Sequence, residues 1–137
     1  MRLPTALALF TLVWGLAHAA FSLSRFITDY GELLDPPKPP QYWWGMAVIA
    51  LISVSWIWIS YFLFLRRRWA CRVVAGTAIV FGLTQAGLSW DVHFYPFLFI
   101  VVRLCIYTVP MVVLAIVLSH PKVLILFNDG TKLIQRI

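Results

Sequence analysis

Charge is what this sequence has least of. Asp and Glu number five and Lys and Arg eleven, together 12% of 137 residues. An average soluble domain carries about 25% charged residues, so a water-soluble globular fold is excluded at this composition. The acids are also missing where coupling chemistry would need them. The stretches 3–24, 42–65, 69–90 and 96–119 contain no Asp or Glu. Without a carboxylate in those apolar runs there is no proton-coupling group of the kind pumps and transporters use.

Cysteine is nearly absent too. Cys71 and Cys105 form no C-x-x-C pair, and they are too few for a zinc site. They read as buried or interfacial thiols. No Ser–His–Asp arrangement is visible. Asp91-x-His93 is the nearest thing to an acid–base pair and reads as a solvated turn. Trp56 and Trp58 have no haem or metal ligands beside them. The expectation is no enzyme, no catalytic residue, no metal and no cofactor. There is no internal repeat.

What is present in quantity is apolar surface, with 62% hydrophobic and 16% aromatic residues. It falls in four runs of about 20 residues, the length that crosses a hydrocarbon core about 30 Å thick. We expect an all-α membrane protein: a compact bundle of four transmembrane helices forming a single integral membrane domain over residues 1–137. The spans are placed at about 3–24, 42–65, 69–90 and 96–119, with a tail over 120–137. Pro4 suits the first turn of the first helix. Arg2, the run Leu7 to Leu16 and Ala17-His18-Ala19 also match a secretory signal with an A-x-A cleavage site. Apolar character continues to Leu23, which favours an uncleaved anchor. The stretch from Arg25 to Gln41, with Pro36-Pro37-Lys38-Pro39-Pro40, reads as a loop. Tyr42-Trp43-Trp44 reads as an interfacial belt. Pro110 is expected to kink the fourth span.

The block Arg66-Arg67-Arg68-Trp69-Ala70-Cys71-Arg72 orients the whole chain. Arg66, Arg67, Arg68 and Arg72 serve as topology anchors, because cations stay on the cytoplasmic side. Arg2, Lys122, Lys132 and Arg136 fall on the same side, against only Arg25 and Lys38 on the other. The expected location is a bacterial inner membrane, multi-pass, with both termini cytoplasmic. The net charge of +6 lies at segment ends, so it implies contact with the lipid bilayer and not with nucleic acid. In the tail, Val123 to Phe127 is β-prone and Asn128-Asp129-Gly130 is a turn signal. A β-hairpin with Thr131 to Ile137 and a short interfacial helix are both open there.

Polar groups inside a bilayer are costly and need a reason. His18, Gln85 and Arg103 stand about 8–12 Å below the ends of their helices on the side away from the arginines, where they form a candidate polar cluster. Arg103 could also snorkel outward. Ala78, Gly82 and Ala86, four residues apart, form a candidate helix-packing face, and Gly15 with Ala19 a shorter one. Such strips serve packing inside one bundle or a homo-oligomer contact.

Several small four-span families share this size. Small multidrug transporters carry an acid in the first span, which is missing here. Disulfide-forming quinone reductases use paired cysteines, and small fluoride channels have a polar and phenylalanine pattern not found in this chain. In length, span number, cytoplasmic termini and scarce intramembrane acids, the layout resembles inner-membrane immunity proteins that protect bacteria from pore-forming toxins. That likeness is one of architecture and not of motif. It implies a binding or accessory protein with a protein partner, a toxin or a membrane complex, held through His18, Gln85 and Arg103 with the strip Ala78, Gly82 and Ala86 as the docking face. The alternative is a small-solute channel or transporter acting as an oligomer, with Arg103 as its charge. A third reading is an assembly factor that docks a partner through the tail.

Overall fold

A computed structural model describes residues 2–31, 40–90 and 97–127. Among them the chain is entirely helical: α1 (Leu3–Gly31), α2 (Pro40–Phe64), α3 (Arg68–Trp90), α4 (Phe97–Ser119) and a short α5 (Pro121–Leu126). The long helices contain the apolar spans Leu3–Thr28, Tyr42–Phe64, Arg68–Leu88 and Phe97–Ser119, each long enough to cross a membrane. The expected all-α bundle of four apolar helices is what forms, and the chain is a small multi-pass membrane protein. In lipid a backbone must satisfy its own polar groups, and a helix does so within one segment.

Helix α1 runs on to Gly31, past the expected end near residue 24 and into the stretch read as loop. Residues 25–30 are more polar but include no proline or glycine. The Thr28 hydroxyl donates back to the Ser24 carbonyl at 2.8 Å. Polarity alone does not end a helix, whereas Gly31 removes the side-chain preference that sustains one.

The turn between α2 and α3 is a Schellman closure. The Arg67 N–H donates to Phe62 O at 3.0 Å and the Arg66 N–H donates to Leu63 O at 3.0 Å. Arg66 takes φ 57° to allow it, in the position that glycine usually fills. The short helix α5 follows from its cap. Pro121 stands at the first helical position and His120 Nδ1 accepts from the Lys122 N–H. These signals outweigh the β-prone character of Val123 to Phe127, so the stretch is helix through Leu126 rather than the first strand of a hairpin, and Phe127 is its extended C-cap. Asn128-Asp129-Gly130 and the return segment lie outside the described residues.

Each long helix buries one stripe at alternating spacings of three and four. On α1 it is Ala8, Thr11, Gly15, His18 and Ser22, and on α2 it is Met46, Ile49, Ser53, Trp56, Ser60 and Leu63. On α3 it is Cys71, Val74, Ala78, Phe81 and Gln85. Helix α1 packs mainly on α2, α3 mainly on α4, and α2 joins the two pairs through α3. The α1–α2 approach is close because Gly15 has no side chain: a Cβ there would stand 2.8 Å from Ser53 O. The buried hydroxyls of Thr11, Ser53 and Ser60 donate to carbonyls of their own helices, so they cost little.

The two mid-depth tryptophans have opposite fates. Trp58 is 68% exposed and faces lipid, whereas Trp56 is fully buried. The Trp56 indole N–H donates to Thr77 Oγ1 at 2.7 Å, and Thr77 in turn donates to Val73 O at 2.7 Å. That chain links α2 to α3 inside the bilayer. At the arginine end, Arg68 Nε donates to Phe127 O at 2.7 Å. The Phe127 ring is fully buried with Leu63, Ala70, Cys71 and Leu118.

Candidate functional site

His18, Gln85 and Arg103 all lie in the half of the bundle away from the arginine turn. His18 supplies the centre. Its Nδ1 lies 3.0 Å from Trp14 O, a carbonyl that only accepts, so Nδ1 carries the proton. The imidazole stacks on Trp14 with centroids 4.6 Å apart. It meets Phe81 edge-on at 5.1 Å and Tyr107 edge-on at 5.6 Å. One buried ring therefore touches side chains from α1, α3 and α4. Phe81 in turn stacks on Trp56 of α2 at 6.1 Å, so the aromatic layer includes all four long helices.

Gln85 and Arg103 do not share the layer of His18. Gln85 follows Phe81 by one turn of α3, and Arg103 precedes Tyr107 by one turn of α4. Both register shifts move toward the same end, by about 6 Å. The residue of α1 at their level is Ser22, one turn beyond His18. The cluster expected as one layer is thus two: His18, Phe81 and Tyr107 below, and Ser22, Gln85 and Arg103 above. Gln85 is buried, while Arg103 is half-buried with its Cζ 5.8 Å over the Tyr107 ring, a cation–π contact.

Two side chains in the upper layer are under-used. Ser22 is 3% exposed, and its hydroxyl has no hydrogen-bond partner among the described residues. Arg103 Nε is buried and has none either. Leaving such groups unpaired is expensive in a low-dielectric medium. Ser22 was missed in the sequence because span serines usually bond back to their own helix, as Ser53 does. The signal that could have found it was its spacing, four residues beyond His18.

The candidate packing face is used inside the chain. Ala78 is fully buried, Gly82 is buried and Ala86 is half-buried. A Cβ at Gly82 would touch Met111 Cβ at 3.4 Å, and Thr108 Oγ1 donates to Gly82 O at 3.4 Å. At its centre this strip receives α4 of the same chain. The anchors Arg66, Arg67, Arg68 and Arg72 lie together at the opposite end, with Trp69 against Phe62. Cys71 is buried and Cys105 is exposed on α4, both as free thiols. Asp91 and His93 lie outside the described residues. No family model matches the chain, and neither a curated protein nor a solved structure does.

Proposed function

We propose that this chain is a non-enzymatic binding protein of a bacterial inner membrane, with both termini and the arginine turn in the cytoplasm. In its most concrete form it is an immunity protein that holds the membrane-inserted helices of a pore-forming toxin and keeps the pore closed. The observation that carries this reading is the coverage of α4. Its inner stripe is buried over Met111, Leu114, Ala115 and Leu118, but only half-buried over Ile100, Arg103, Leu104, Tyr107 and Thr108. A helix that leaves its inward stripe half open beside a polar layer offers a further helix both packing surface and hydrogen bonds.

The test is a challenge assay. Cells producing the protein are exposed to a panel of pore-forming toxins, and survival is scored against cells producing Arg103→Ala. Protection from one toxin that the variant loses is the expected result; uniform sensitivity rejects the immunity role. Anion flux through the native protein in liposomes, abolished by Arg103→Ala, would replace the binding reading with a channel.

A further inference from the structure

The geometry points to the chemistry of the partner: we infer that the half-open stripe of α4 docks an apolar transmembrane helix of a different protein carrying one carboxylate, which pairs with Arg103. This inference rests on the binding role proposed above and adds the recognition element.

The groove comes from how α4 is packed. It is held by α3 and α5, and α1 reaches it through the ring contact of His18 with Tyr107. Beyond that contact, toward the end away from the arginine turn, Arg103 and Ser22 each present a buried polar atom without a hydrogen-bond partner among the described residues. The Arg103 Cζ stands 5.8 Å over the face of the Tyr107 ring. A guanidinium held in a span with its Nε unpaired among the described residues calls for an anion.

The source of that anion follows from sequence and depth. None of the four apolar spans contains Asp or Glu. A second copy of this chain therefore has no carboxylate at that level either. Arg103 stands six residues inside α4, about 9 Å below the helix end at 1.5 Å per residue. Reaching a lipid phosphate would require the side chain to snorkel outward and leave the Tyr107 face. A carboxylate on a neighbouring helix sits at this depth without deforming the bilayer, and guanidinium–carboxylate pairing adds a two-pronged hydrogen-bond geometry. Ser22 on α1 stands at the level of Arg103 by helix register, and we assign its hydroxyl as a second donor to that carboxylate.

The probe is a synthetic 23-residue Leu/Ala transmembrane peptide with Glu at its sixth position, a Gln twin, and a third peptide with Glu at its centre. Each carries a dansyl acceptor and is mixed at pH 8 with the full-length protein in phosphatidylcholine vesicles. Energy transfer from the protein's tryptophans reports association. The sixth-position Glu peptide is expected to bind at least tenfold more tightly than either of the others, and Arg103→Gln to erase the difference. Should that variant fold poorly, Ser22→Ala is expected to lower the preference a few-fold. Equal binding of Glu and Gln peptides overturns the carboxylate but leaves a helix-binding protein. Loss of the Glu preference when phosphatidylglycerol is added assigns Arg103 to a lipid phosphate and overturns the inference. The challenge assay stands apart from all of these outcomes.

Discussion

The two ends of the bundle are made of the same apolar helices and are closed in different ways. Near the arginine turn, Leu63, Ala70, Cys71, Leu118 and Phe127 are each fully buried. Arg68 is bonded across to Phe127 there. At the other end, α4 has only half-buried inner residues, and the contacts are long aromatic rings around His18. In lipid the hydrophobic effect does not push helices together, so close packing and polar pairs decide. The arginine end has both, while at the opposite end Ser22 Oγ and Arg103 Nε have no hydrogen-bond partner among the described residues. The first is a clamp, and the second is the face on which the proposed partner would dock.

The largest effect that would break this comparison is at the clamp. Phe127→Ala should cost about 3 kcal/mol, by loss of contacts and the cavity it leaves. Denaturant unfolding in detergent micelles measures it. Tyr107→Ala, at the half-covered end, should cost clearly less in the same assay. If the two costs are equal, the ends are not packed differently.

Next comes the contrast between glycines. A Cβ at Gly15 meets backbone on α2, with Ser53 O at 2.8 Å and Ile57 N at 3.2 Å. Backbone cannot rotate away, so Gly15→Ala should cost about 2 kcal/mol. At Gly76 and Gly87 nothing lies within 4 Å. There Ala should be neutral or stabilise by up to about 0.8 kcal/mol through helix propensity. Melting of the three variants by circular dichroism separates them.

A smaller effect belongs to the hydrogen bond between Trp56 and Thr77. Thr77→Val removes the acceptor of a buried indole N–H and should cost about 1 kcal/mol. A double-mutant cycle with Trp56→Phe should recover most of it, because the second change removes the stranded donor.

Much of this was legible beforehand. The apolar runs are long and unbroken, and length against bilayer thickness is a strong constraint, so the number and order of spans could be read directly. The ends of elements were harder. Helix α1 outlasts its apolar run because Arg25 and Thr28 are compatible with helix, while α5 forms against β propensity because a proline and a cap act locally. At the site, His18, Gln85 and Arg103 were visible as polar exceptions in apolar text. Their layering was not, because it depends on which neighbouring helix each ring meets. Ser22 was silent because serine in a span is normally satisfied by its own backbone. The strip Ala78, Gly82 and Ala86 announced close packing but not the identity of the helix that packs there.

The smallest expected effect sharpens what the clamp is for. Arg66 holds φ 57°, where a residue with a Cβ is strained by about 1 kcal/mol relative to glycine. Arg66→Gly should therefore stabilise the isolated protein in micelles by about 0.5–1 kcal/mol. A stabler turn was available and this chain does not use it. What the arginine adds is charge: near an anionic leaflet each cation contributes about 1 kcal/mol of attraction, comparable to the strain. The same variant measured in phosphatidylglycerol vesicles should then lose most of its advantage over the native protein. An advantage that survived intact in anionic lipid would mean that Arg66 does nothing for the membrane, and that the clamp is held by Phe127 and Arg68 alone.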